Sequence, residues 1–132
     1  MEYAIIRVPA AALRRKPGHP REMVNQLLFG EAVKVLRTKN EQWVKVRSLH
    51  DDYEGWMTLS LLEETDEITA LQKPVFVTAG LLTRISNESQ AMHIPAGASL
   101  PAFADGKCQI NKQAFQVDGL VYNRLEHQPS SM

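Results

Sequence analysis

The chain has 132 residues, which is enough for two small domains or one medium-sized domain. Hydrophobic residues make up 44% of the sequence and charged residues 23%, with 15 basic and 15 acidic residues, as in an ordinary folded protein. The balanced charge argues against a basic reader of nucleic acid, and no apolar stretch approaches the roughly 20 residues that span a bilayer. A single cysteine excludes an intrachain disulfide, so the fold must rest on small apolar cores.

The first half of the sequence consists of short β-like segments separated by turn residues. The segment 5–8 ends at Pro9, and an extended apolar run, 23–29, follows a long irregular stretch and stops at Gly30. No helical period is sustained over three turns. This pattern predicts a strand, a long loop and a second strand.

Two half-buried strands follow, over 32–37 and 43–47. Their alternate residues are apolar, so they should share the inner face of a sheet: Val33, Val35, Val44 and Val46. The polar stretch 38–42 between them has the length of a hairpin loop, which predicts antiparallel pairing. Trp43 is out of phase with Val44 and is therefore predicted on the outer face, where an exposed tryptophan would mark a ligand surface.

Residues 54–57 begin another strand, and residues 59–62 form a short closing turn of helix. Five short strands in about sixty residues predict a small barrel. The acidic stretch 63–67 interrupts the apolar pattern and opens a predicted linker, 63–73. Strand signals resume near Pro74 and predict a second core: Ile94, Ile110, Phe115 and Val117. Asp118 and Gly119 together predict a hairpin turn.

Together these elements predict an all-β fold of two small antiparallel β-barrels in tandem. The predicted bounds are 1–62 for the first barrel, 63–73 for the linker, 74–127 for the second barrel and 128–132 for a frayed tail.

The order and spacing of four motifs in the first half resemble bacterial Src-homology-3 (SH3) domains, specifically those that precede NlpC-type cell-wall peptidases cutting between D-glutamate and a diamino acid. The motifs are Leu13-Arg14, the run 22–31, the segment 43–46, and 53–56 ahead of Leu61-Leu62. The second half resembles the second SH3 domain of those peptidases through 94–97, Leu100-Pro101 and Asp118-Gly119.

The resemblance implies that the first barrel supplies a glutamate and a tyrosine that hold the free amino terminus of an L-alanyl-D-glutamyl stem peptide. The matching ligand-binding candidates are Glu22, Tyr53 and, as an alternative carboxylate, Glu31; Trp43 is added as an aromatic candidate. A carboxylate accepts charge-assisted hydrogen bonds from an ammonium group, and a phenol can orient that group through its hydroxyl. The implied partner is a peptidoglycan fragment or a separate catalytic domain.

In the resembling family the pattern continues into a papain-like domain with a cysteine nucleophile and two histidines. Cys108 matches neither its Asp-Cys-Ser motif nor a strand-to-helix junction, and is interpreted as a small core residue. The four histidines fit no metal template. We therefore predict no catalytic residues, no metal, no cofactor and no enzymatic activity.

Three functions remain in competition: a cell-wall recognition module of an NlpC-type peptidase system, a general adaptor that binds an extended peptide, and an unrecognised peptidase. A dense aromatic groove would favour the adaptor, yet only 7% of residues are aromatic. The N-terminus lacks a signal-peptide pattern, which predicts a cytoplasmic chain as given, whereas a removed leader would place it in the cell envelope.

Overall fold

The computed structural model describes residues 1–17, 23–72, 76–111 and 113–123. The chain divides into two units, Met1–Gln72 and Lys73–Met132, each with its own antiparallel sheets. Helical structure in the described residues is limited to a 3-10 turn at Leu59–Leu61 and one helix of five residues. The predicted all-β class is confirmed, while closure of the sheets into two barrels stays a prediction.

Seven strands of the first unit form one sheet. In chain order they are β1 (Tyr3–Ile6), β2 (Ala10–Arg14), β3 (Met23–Leu28), β4 (Ala32–Lys39), β5 (Trp43–Ser48), β6 (Glu54–Thr58) and β7 (Leu62–Thr65). Their order across the sheet is β3-β2-β6-β5-β4-β1-β7, so β3 and β7 are its edges. The predicted β4–β5 hairpin is confirmed, with Asn40 and Glu41 in the left-handed region at its turn.

The core of the first unit lies on one face of this sheet. Val33, Val44 and Val46 are almost fully buried there, and Val35 packs against them half-buried, as the alternation predicts. A buried valine contributes about 1.5–3 kcal/mol relative to an exposed one, so this face supplies much of the unit's stability. Between Val35 and Arg37 a β-bulge accommodates Leu36 as an extra residue and keeps the following residues in phase with β5.

Trp43 lies on the opposite, outer face, because Val44 and Val46 alternate with it and point into the core. It is covered there, since only 8% of its surface is accessible, so it does not offer the exposed ring that would mark a ligand surface. Its register partners are Lys39 on β4 and Thr58 on β6. Long side chains can cover an aromatic ring with their methylene groups, which alternation along one strand does not reveal.

The predicted linker 63–73 requires correction, because most of it is regular structure of the first unit. Strand β7 pairs with β1 from Leu62 to Thr65, and helix α1 covers Glu67–Leu71. The Asp66 side chain accepts a hydrogen bond from the Thr69 backbone N–H at 2.7 Å and thereby caps the helix. The acidic residues that suggested a linker belong to the edge strand β7 and to the N-terminal cap of α1.

Six strands make up the described part of the second unit: β8 (Phe76–Thr78), β9 (Leu82–Ser86), β10 (Ala91–Pro95), β11 (Lys107–Ile110), β12 (Gln113–Asp118) and β13 (Val121–Asn123). Four of them form a sheet in the order β10-β9-β12-β11, and β13 pairs with β8. Three of the predicted core residues, Ile94, Ile110 and Phe115, are buried, and Val117 is half-buried.

The predicted hairpin at Asp118-Gly119 is wrong. Strand β12 pairs with β9 and β11, whereas β13 leaves that sheet and pairs with β8. The Ala79 N–H donates to the Leu120 carbonyl at 2.9 Å, which fixes the chain where it crosses between the two sheets. The Asp118-Gly119 pair therefore lies where the chain passes from one sheet to the other, and does not form a two-residue turn between neighbouring strands.

Candidate functional site

Tyr53 lies at the end of the turn that joins β5 to β6, and 53% of its surface is exposed. The turn is held by backbone hydrogen bonds, from Ser48 N–H to the Tyr53 carbonyl at 2.8 Å and from Asp52 N–H to the Ser48 carbonyl at 2.9 Å. Asp51 Oδ1 accepts from the Tyr53 N–H at 3.3 Å, and Asp52 adopts φ of 61°. A tyrosine on a fixed turn can therefore present its hydroxyl to a ligand with little ordering of the backbone.

Glu31 occupies the turn between β3 and β4 and is half-buried. Its Oε2 accepts a hydrogen bond from the Leu28 N–H at 3.0 Å, and its own N–H donates to the Leu28 carbonyl at 3.1 Å. Gly30, at φ of 84°, permits this tight turn. The carboxylate of Glu31 thus has a structural contact that a ligand ammonium would have to share.

The two turns lie at the same end of the first sheet. Leu49 N–H donates to the carbonyl of Ala32, the residue after Glu31, at 3.1 Å, which ties the Tyr53 turn to the start of β4. Trp43 begins β5 and Tyr53 follows its end, so the length of that strand, about 17 Å at 3.3 Å per residue, separates them. Trp43 cannot share a small-ligand site with Tyr53, and Glu22 lies outside the described residues.

Three carboxylates that were not among the predicted site residues flank Tyr53. Asp51, Asp52 and Glu54 are all exposed, and Glu54 Oε1 lies 3.8 Å from the Lys45 ammonium. We call Asp51, Asp52, Tyr53 and Glu54 the acidic turn. The run of three acidic residues around one tyrosine is visible in the sequence and could have marked them as binding candidates. A phenol among carboxylates suits a cationic group such as a peptide ammonium.

Cys108 is buried on β11, and burial raises the pKa of its thiol to about 11. It borders an open cavity of about 310 Å³ whose described lining holds Asp105, Lys107 and Gln109 but no histidine. A nucleophilic cysteine needs a lowered pKa and a neighbouring base, and this thiol has neither among those residues. The interpretation of Cys108 as a core residue is confirmed.

Metal ligation finds no support in the described ranges, which contain no group of three or more His, Cys, Asp or Glu side chains able to hold an ion. His50 and His93 are exposed, and His19 and His127 lie outside those ranges. In the same ranges no helix is long and apolar enough to cross a membrane.

Comparison with known proteins shows what the first unit is similar to. Residues 13–62 match the family described as the bacterial dipeptidyl-peptidase SH3 domain. A solved structure of an NlpC/P60 family protein from Bacillus cereus ATCC 10987 superposes with a TM-score of 0.71 at 18% identity, covering 92% of this chain. The chain spans 56% of the length of that protein, so the likeness concerns the fold of a part of it. Among curated proteins, none matches this chain.

Proposed function

We propose that this chain, whose residues 13–62 match the bacterial dipeptidyl-peptidase SH3 domain family, recognises the amino-terminal end of cell-wall stem peptides for an NlpC-type peptidase. An SH3 domain is a non-catalytic module, and the resemblance to NlpC/P60 proteins supports association with a peptidase. The peptidase would be a further domain of the same protein or a separate chain. In this proposal the chain binds the peptide, and the peptidase carries out the cleavage.

The observation that carries the proposal is the exposed Tyr53 held within the acidic turn. The free amino terminus of an L-alanyl-D-glutamyl peptide is a compact cation, which Asp52 or Asp51 can accept while the phenol orients it. Glu22 remains a candidate from the family resemblance. Glu31 is the weaker carboxylate, since its Oε2 already accepts from the Leu28 N–H.

Binding to this module alone should be weak. Exposed charged contacts contribute about 0.2–1 kcal/mol each, whereas association costs several kcal/mol of translational and rotational freedom. We expect a dissociation constant in the millimolar range, and tighter binding when a catalytic domain supplies a second wall of the site.

The adaptor alternative receives less support. Among the described aromatic side chains, only Tyr53 is highly exposed, and both tryptophans are covered. A groove for an extended or proline-rich peptide needs several exposed rings side by side. The peptidase alternative would need Cys108 to act as a nucleophile, and its raised pKa and burial oppose that role.

The test is an amide-shift titration of the ¹⁵N-labelled chain with L-alanyl-D-glutamyl peptides that carry a free or an acetylated amino terminus. We expect shifts around residues 49–54 with the free peptide only, and their loss in Tyr53→Phe, Asp52→Asn or Glu22→Gln. Tyr122→Phe, which removes a phenol hydroxyl from the second unit, is the matched control and should bind as the wild type does. Equal shifts with both peptides, or shifts centred on the second unit, would refute the proposal.

A further inference from the structure

Five basic residues share the outer face of strands β4 and β5. Val33, Val35, Val44 and Val46 point into the core, so the residues that alternate with them point outward, and the bulge at Leu36 keeps Arg37 in that phase. We call this set the basic face: Lys34, Arg37 and Lys39 of β4, with Lys45 and Arg47 of β5. None of the five is buried.

Like charges lie directly opposite one another on this face. Lys34 is the register partner of Arg47, and Arg37 is the register partner of Lys45. Such cross-strand pairs bring side chains within about 5 Å and destabilise a sheet. The outward residues of β4, β5 and β6 include one carboxylate, Glu54, 3.8 Å from the Lys45 ammonium. The paired like charges therefore outnumber the carboxylates on this face and make it positively charged.

The acidic groups near the face lie at its border, at the acidic turn and in the β4–β5 turn, which carries Glu41. Glu2 and Glu67 surround Tyr3, which pairs with Lys34, and the Tyr3 hydroxyl donates to Glu67 Oε2 at 3.4 Å. They can offset part of the Lys34 charge. The row of Arg37, Lys39 and Lys45 lies farther along the strands, toward the β4–β5 turn, with Glu54 as the described ion partner of Lys45.

Two of the basic side chains make cation–π contacts with aromatic rings. The Arg37 guanidinium carbon lies 5.4 Å from the centre of the Trp56 ring, and the Lys34 ammonium lies 6.0 Å from that of Tyr3. Cation–π contacts of this kind hold charged side chains in place without neutralising them. Because Trp43 and Trp56 are only 8% and 7% exposed, they offer no free ring on which a nucleic-acid base could stack.

The basic residues recur along the strands with a fixed spacing. The pair Lys34–Arg47 and the pair Arg37–Lys45 are two residues apart on β5, which corresponds to about 6.7 Å along an extended strand. Lys39 extends the row beyond them. An extended polymer with one negative charge per repeat of about that length would place its charges along the row.

We infer that the basic face binds a linear polyanion whose charges are phosphodiester groups and which carries no bases, such as a polyol-phosphate polymer. The positive charge of the face favours an anion, and the regular spacing of its basic residues favours a linear polymer. The covered tryptophans disfavour a nucleic acid. This inference does not rest on peptide recognition at the acidic turn, which joins the end of β5 to the start of β6, so each can fail without the other.

The experiment titrates the ¹⁵N-labelled full chain with a synthetic oligomer of glycerol phosphate at several salt concentrations. We expect amide shifts on β4 and β5 and an affinity that falls steeply with salt, because binding releases counterions. In Lys34→Gln/Lys39→Gln the affinity at low salt should fall by about tenfold and the salt dependence should flatten. This pair spares Arg37 over Trp56 and Lys45 beside Glu54.

Arg84→Gln/Lys107→Gln is the matched control, since it removes the same charge from the second unit and should leave the affinity unchanged. The melting temperature of the Lys34/Lys39 variant at low salt should stay close to that of the wild type, because relief of the repulsion between Lys34 and Arg47 offsets the loss of the Lys34 contact with the Tyr3 ring. Three outcomes would overturn the inference. They are an equal loss of affinity in the control variant, equal amide shifts with uncharged polyglycerol, and tighter binding of oligothymidylate than of the glycerol phosphate oligomer.

Discussion

Gly119 passes directly over Thr83: a β-carbon placed on Gly119 would lie 2.8 Å from Thr83 Oγ1 and 2.9 Å from Thr83 Cγ2. Real β-carbons almost never approach other atoms so closely, and Thr83 is fully buried and cannot swing away. The glycine is therefore needed for the close approach of the chain as it crosses from β12 to β13.

We expect Gly119→Ala to lower the free energy of unfolding of the second unit by about 1–3 kcal/mol, the usual cost of overpacking a core. Calorimetry or urea unfolding followed by circular dichroism measures it. Gly80→Ala is the control, since its nearest neighbouring atoms would be 3.9 Å from the added carbon. Adding Thr83→Ala to Gly119→Ala should restore part of the loss, and an undiminished loss would contradict a clash with Thr83.

Thr83 and Thr78 provide a matched pair for the value of a buried hydroxyl. Thr83 Oγ1 is buried with no hydrogen-bond partner among the described residues, whereas Thr78 Oγ1 donates to the Pro95 carbonyl at 2.7 Å and accepts from the Ala98 N–H at 3.1 Å. Thr83→Val should leave stability unchanged or raise it by up to about 1 kcal/mol, and Thr78→Val should lower it by about 1–3 kcal/mol. Equal effects in thermal unfolding would contradict this assignment.

The Cys108 thiol should be almost unreactive in the folded chain. With its pKa raised to about 11 by burial, only about one molecule in a thousand is a thiolate at pH 8. A chromogenic disulfide should react slowly until urea unfolds the chain and then completely. Because the folded pKa exceeds the unfolded value of about 8.5, this group's contribution to stability is full below about pH 8.5 and is lost as the pH rises toward 11. Rapid native labelling at pH 8 would contradict it.

The cap of α1 should make the first unit sensitive to acid. The hydrogen bond from the Thr69 N–H lowers the pKa of Asp66, so the cap's contribution is present above the ordinary aspartate pKa and is lost as the pH falls through the lowered one. Asp66→Ala should reduce the melting temperature at pH 7. Asp66→Asn keeps the hydrogen-bond acceptor without the charge, so it should retain much of the cap's stabilisation at pH 7 but remove its dependence on acid. A pH profile of Asp66→Ala identical to that of the wild type would argue against the cap.

The sequence predicted those parts of the fold that depend on local patterns. Alternation placed Val33, Val44 and Val46 on the inner face, because side chains of a strand alternate whatever surrounds them. The partner of β13 was missed, because pairing with β8 is a contact between distant segments that no local signal encodes. Helix α1 was also missed, although Asp66 three residues before Thr69 is a capping pattern, since the neighbouring acidic residues dominated the interpretation.

For the candidate site, the sequence located a turn but not its contacts. Tyr53 follows a polar stretch between two strands, which favours an exposed position, and the structure exposes it. Two features could not be predicted, because they depend on how the strands pack in three dimensions. They are the hydrogen bond from the Leu28 N–H to Glu31 and the burial of Trp43. The ligand roles of Glu22, Tyr53 and Glu31 stay predictions.

The placement of the two tryptophans and the single cysteine has a practical consequence for following this protein in solution. Both indoles belong to the first unit and the only thiol belongs to the second. Tryptophan fluorescence therefore reports on one half of the chain and thiol labelling on the other, without any substitution in the sequence. Unequal midpoints of the two signals along a urea gradient would reveal that the halves unfold independently, and coincident midpoints would reveal a single cooperative transition.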